Sequence, residues 1–178
     1  KGWVTRILQA AGTTPTGVFT SGVYDTDAAY IAATGGTVTT SGNFKIHSFT
    51  GDGCFVVSCA GNSVGNNKVD YMVVAGGGAG GNVGGGGAGG YRESYTPAVS
   101  GPYTASPLKA ACGAITVTAT TFPITVGGGG AAATSGNAKG PSGSNSVFST
   151  ITSAGGGGGG GNGTSGGHAG GSGGGGHQ

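Results

Sequence analysis

The chain has 178 residues, enough for one domain or two small ones, and 47 of them are glycine, against roughly 7% in ordinary proteins. Seven Lys and Arg face five Asp and Glu, a net charge of +2. This forms no basic patch, so nucleic-acid binding by counterion release is not expected. No apolar run approaches the ~20 residues of a helical membrane span, so no membrane insertion is expected.

Large apolar residues concentrate before Asn82, where a conventional core can form; beyond it they are too few to fill a second one. The chain begins with Lys1, and a fragment or processed product is expected. Val4–Leu8 reads as a short strand, and Gly12–Gly22, rich in Thr, Gly and Pro, as turns. Thr26–Thr34 fits a helical turn or a strand. From Thr37 the pattern sharpens. Phe44, Ile46 and Ser48 alternate with Lys45, His47 and Phe49; Phe55, Val57 and Cys59 with Val56 and Ser58; Val69, Tyr71 and Val73 with Asp70, Met72 and Val74. Turns at Gly51–Gly53 and Asn62–Asn67 separate them, which predicts a three-stranded antiparallel meander.

The second part has a different grammar. Ala75–Gly81, Gly84–Gly90, Gly127–Ala133 and Gly155–Gly161 are each seven residues of Gly and Ala only, and Gly166–Gly176 is a longer run. Three runs follow a β-like segment: D-Y-M-V-V, F-P-I-T-V and S-V-F-S-T-I-T-S. Gly76, Gly78 and Gly81 match G-x-G-x-x-G, but more glycine follows where a dinucleotide site needs a helix, and no acidic residue stands ~20 positions on. No cofactor is expected.

A flexible linker is one reading of the runs. The other is a bundle of polyglycine-II helices, with three residues per turn and ~3.1 Å rise, whose outward N–H and C=O groups bond between neighbours. Equal lengths favour the bundle, each run spanning ~22 Å. The structural glycines would include Gly76, Gly78, Gly86, Gly128 and Gly158, while Ala131, Ala132 and Ala133 should lie at the bundle margin. The expectation is an all-β chain: an antiparallel β part of sandwich type over 1–74, then a polyglycine-II bundle with interleaved strands over 75–178, with one continuous domain as the alternative.

The order S-G-N-F-K-I-H-S-F-T-G-D-G-C-F-V-V-S-C, V-D-Y-M-V-V-A-G-G-G-A-G-G, G-G-G-G-A-G-G-Y-R and N-S-V-F-S-T-I-T-S-A-G-G-G-G resembles the glycine-rich domain of tailed-phage tail-fibre and virion proteins, abundant in marine phages. It covers roughly Thr37 to Gly161. In architecture it is also similar to the distal tail-fibre adhesins of T-even-type phages, although the loops do not match. The resemblance implies an outward-facing virion part, a homo-oligomer with a trimer favoured, other virion subunits and a host-surface protein or glycan as partners, and no enzyme chemistry. A subunit of a self-assembling extracellular filament is the alternative. Ice or glycan binding by a flat bundle face has only the glycine content behind it.

No Ser–His–acid set stands out. His47 is expected at the surface or in a strand pair; His168 and His177 make a weak metal site without Cys or carboxylate, and Asp25 with Asp27 lacks the remaining Ca²⁺ ligands. Asn162-Gly163-Thr164 is a glycosylation sequon that reads better as a turn. Cys54 and Cys59 should face opposite sides of one strand. Cys112 is able to meet either, and Cys59 with Cys112 is the favoured pair. Tyr91–Leu108 joins the glycine runs to the next strand. Its Tyr91, Arg92, Tyr95 and Tyr103 are the residue types favoured in receptor or partner contacts.

Overall fold

The structure, a computed structural model, describes residues 5–10 (main chain only), 28–96, 109, 113–134, 137–163 and 166–176. Among these every regular element is a strand: β1 (Thr5–Ala10), β2 (Ile31–Thr34), β3 (Thr37–Ser41), β4 (Phe44–Phe49), β5 (Gly53–Ala60), β6 (Lys68–Val74), β7 (Tyr91–Glu93), β8 (Ile115–Thr116), β9 (Thr121–Thr125), β10 (Ser146–Phe148) and β11 (Ile151–Ser153). The segment that fitted either helix or strand thus contains β2, and Gly12–Gly22 lies outside the described residues.

The strands form two antiparallel sheets. One runs β3-β4-β1-β6-β7, with β8 beside the start of β6; the other runs β11-β10-β9-β5-β2. The three-stranded meander is therefore corrected. Its strands exist, but β5 pairs β2 and β9, while β4 and β6 both pair β1 in the opposite sheet. The reason is burial. Phe49, Val69, Tyr71 and Val73 of one sheet face Ile31, Phe55, Val57, Ile124 and Phe148 of the other across a single core. A lone meander would leave that apolar face in water, and each large side chain buried is worth about 1.5–3 kcal/mol. Ile124 and Phe148 come from the glycine-rich part, so its interleaved strands complete the core of the first part. The Phe148 ring meets Phe55 at 6.2 Å and Tyr71 at 6.3 Å between centroids.

Two side chains refine the expectation. His47 lies in a strand pair, opposite Ile7 and Val38, and not at the surface. His47 is fully buried, edge-on to Phe55 at 5.0 Å and 78°. Alternation on β4 defines two faces but does not say which is inside; the face of His47 and Phe49 is the one toward the core. Cys59 is exposed, as is Cys54, so the two do not divide between inside and outside. A bulge against β2, where Ala33 is opposite Val57 but Ala32 is opposite Cys59, inserts Ser58 and breaks the alternation. Cys112 lies outside the described residues.

The glycine runs continue the sheets. β6 and β7 pair antiparallel and end at Val74↔Tyr91. Beyond them Ala75, Gly78 and Gly81 N–H donate to Gly90, Gly87 and Gly84 C=O at 2.8–3.0 Å. The excursion is one long hairpin whose bonding period changes from two to three. Run 155–161, buried throughout, shows the pattern most fully. Gly156 and Gly159 donate to Gly76 and Ala79, whereas Gly157 and Gly160 donate to Ser172 and Gly175. Carbonyls of Gly157 and Gly160 accept from Gly87 and Gly84; those of Gly156 and Gly159 accept from Gly143 and Gly140; those of Gly155 and Gly158 accept from Gly171 and His168. Residues three apart share a neighbour, so the segment is bonded on several sides and its peptide groups are satisfied without side chains.

Two links anchor this block to the sheets. Buried Ser146 donates from Oγ to Val74 C=O at 2.8 Å and accepts from Gly127 N–H at 2.9 Å. Asn145 Oδ1 accepts from Gly155 N–H at 2.9 Å.

Candidate binding surface of the glycine-rich part

Close approach dictates which positions tolerate only glycine. A Cβ on Gly158 would lie 1.6 Å from Gly140 O, one on Gly76 1.9 Å from Gly128 O, one on Gly78 2.2 Å from Gly157 O and one on Gly86 2.1 Å from Gly78 O. Gly128 differs, since a Cβ there meets nothing within 4 Å; its contribution is a carbonyl that accepts from Ser144 N–H. Ala131 and Ala132 are exposed and Ala133 half-buried, as their methyl groups require.

The segments leave the sheets, run out and turn back, so their turns gather at the end away from the strands. Asn82 N–H donates to Ala138 C=O at 3.3 Å and Val83 N–H to Gly160 C=O at 3.2 Å. A Cβ on Gly161 would touch Asn137 O. Turns 82–83 and 161–163 and residues 137–138 therefore come together. An open hollow of about 560 Å³ lies there, lined by residues 79–82 and 132–134. Its walls are main chain, alanine methyls, the Asn82 amide and the Thr134 hydroxyl. Lys139 is the only Lys, Arg, Asp or Glu among the described residues of the glycine-rich excursions. This chemistry suits neutral polar groups. Asn162 and Gly163 form a turn; Thr164 lies outside the described residues.

The described residues of Tyr91–Leu108, residues 91–96, sit at the opposite end. Tyr91–Glu93 is strand β7 rather than loop, because it pairs Met72–Val74. Tyr91 and Arg92 are exposed and Tyr95 is half-buried; Tyr103 lies outside the described residues. The Tyr91 hydroxyl donates to the Glu93 carboxylate, and Arg92 Nη1 donates to Tyr91 C=O at 3.0 Å. The surface thus brings Tyr91 and Arg92 together but apart from the far turns.

One group escaped the sequence reading. Asp70 and Ser94 are each 1% exposed. Ser94 Oγ donates to Asp70 Oδ1 at 2.6 Å and accepts from Tyr71 N–H at 3.0 Å; Thr96 N–H donates to Asp70 Oδ2 at 3.3 Å. Closed to solvent, this pair fixes the chain after β7 against β6. An acidic residue within an apolar strand was its only signal.

The family model for a glycine-rich domain matches residues 53–178. The chain belongs to this glycine-rich domain family. No curated protein and no solved structure matches it. The matched span begins at β5 and includes every glycine run, so this member of the glycine-rich domain family carries strands and runs as one pattern.

Proposed function

We propose that this chain is a non-enzymatic structural module of a phage virion, a tail-fibre or adhesin part that presents the gathered turns to a host surface. The observation that carries this reading is the meeting of turns 82–83 and 161–163 with residues 137–138, next to a nearly uncharged hollow lined by residues 79–82 and 132–134, at the end of the glycine segments remote from the sheets. The segments themselves we read as polyglycine-II helices. A helix with three residues per turn returns to the same neighbour at every third residue, and the bonding of run 155–161 has that period. Such a rod holds its turns rigidly without an apolar core. Host protein or glycan and other virion subunits are the proposed partners, with a closed trimer on a fibre shaft as the proposed assembly.

A subunit of a self-assembling filament is the second reading. It is favoured by Gly85 and Gly128, where a Cβ would meet nothing within 4 Å, so a neighbouring chain could approach the outer segments closely. Two measurements separate the readings. Electron microscopy of the purified protein should show closed particles rather than helical stacks. Binding to intact bacterial cells should be lost in the double variant Asn82→Arg, Thr134→Arg and retained in Arg92→Ala, Tyr103→Ala, both with unchanged far-UV spectra. Loss in the second pair alone moves the receptor contact to Tyr91–Leu108; no cell binding together with helical stacks replaces the adhesin reading by the filament.

A further inference from the structure

His47 stands where the chain crosses between the sheets. β2 belongs to one sheet and β3 to the other, and Gly35-Gly36 makes the corner between them. The corner has no slack: Gly35 has φ +111°, and a Cβ on it would lie 1.9 Å from Cys54 O. His47 Nδ1 is 2.9 Å from Gly35 C=O. A carbonyl only accepts, so Nδ1 carries the proton and Nε2 presents a bare lone pair. Nε2 is buried with no hydrogen-bond partner among the described residues, and the ring lies edge-on to Phe55.

We propose that His47 is an acid-sensitive clasp: proton uptake at Nε2 places an unpaired cation in the core, freeing the Gly35-Gly36 corner and loosening the sandwich. Among the described residues the surroundings offer the cation no relief. β3 sets Val38 opposite His47, and β1 sets Ile7 opposite it. β1, β2, β3, β4 and β5 contain no Asp or Glu. The charged neighbour on its own strand is Lys45, which has the same sign and disfavours protonation further. The nearest carboxylate in sequence, Asp52, accepts from Val126 N–H. Burial is the main cause holding the imidazole below its ordinary value of 6.5, with Lys45 adding to it, while the bond to Gly35 opposes. The unfolded chain therefore takes up a proton below about pH 6.5 that the folded chain refuses. Stability from this group is complete above that pH and falls as the pH drops below it, by up to about tenfold in the folding equilibrium per pH unit.

The test is the thermal midpoint of the full chain from pH 7.5 to 5.0, where Asp and Glu remain largely ionised. Wild type should lose several degrees below pH 6.5. His47→Asn keeps a donor for Gly35 C=O but cannot titrate in this range; it should be less stable at pH 7.5 with a nearly flat profile. His168→Asn, altering an exposed histidine, should keep the wild-type slope. A slope that survives in His47→Asn, or no slope in wild type, overturns the proposal. If His47→Asn does not fold, NMR titration of the wild-type His47 ring decides: no protonation until well below pH 6.5 supports the clasp, and titration at or above 6.5 removes it.

Discussion

Gly158 and Gly128 look alike in sequence yet differ in what surrounds them. Gly158 is buried, and a side chain would displace the Gly140 peptide and the bonds around it. Each buried group left unpaired costs about 1–3 kcal/mol, so Gly158→Val should lose several times that of Ser144→Val at an exposed site. Gly128 is exposed with room for a methyl, and its φ is not in the left-handed range. Gly128→Ala should be neutral or stabilise by about 0.4–1 kcal/mol, through lower entropy of the unfolded chain. Urea titrations of the three variants check this; equal midpoints for Gly158→Val and Ser144→Val would remove close packing as the reason for glycine.

The strands and the glycine segments meet through few side chains, and Ser146 is the most informative. Its single hydroxyl joins the end of β6 to the start of run 127–133. Ser146→Ala leaves both Val74 C=O and Gly127 N–H short of a partner in a buried place, for an expected loss of about 1–3 kcal/mol. Neighbouring Ser149, half-buried in the β10–β11 turn, bridges nothing comparable, and Ser149→Gly should cost little because its φ of 54° suits glycine. Chemical denaturation of the two variants distinguishes a junction from a generic serine effect.

Across the whole molecule, backbone bonds replace side-chain packing in one part and supplement it in the other. Ordering glycine costs more entropy than ordering any other residue, and each bond nets only ~1 kcal/mol. The glycine block therefore depends on the sheets from which its segments emerge. Hydrogen exchange should show this dependence. The amides of Gly156, Gly157, Gly159 and Gly160, each bonded inside the block, should be protected to the same degree as Phe55 and Val73 in the core. The amide of exposed Gly85 should exchange rapidly. Fast exchange throughout run 155–161 would show that the segments open independently of the sheets.

Alternation in the sequence placed β4, β5 and β6 and the β character of the interleaved segments, because period two is written in side chains. Composition marked the glycine runs and the alanines at their margin for the same reason. Alternation does not name a strand's partner, however, and so predicted neighbours where the chain in fact switches sheets. Nor does it say which of two faces is inside, which left the burial of His47 undecided. Among glycine segments the limit is stricter: one run offers the same N–H and C=O groups as the next, so nothing local selects its neighbours. That choice belongs to the tertiary structure. The ends of β6, β9 and β11 set where three of the runs start, and the requirement that buried peptide groups find partners settles the rest.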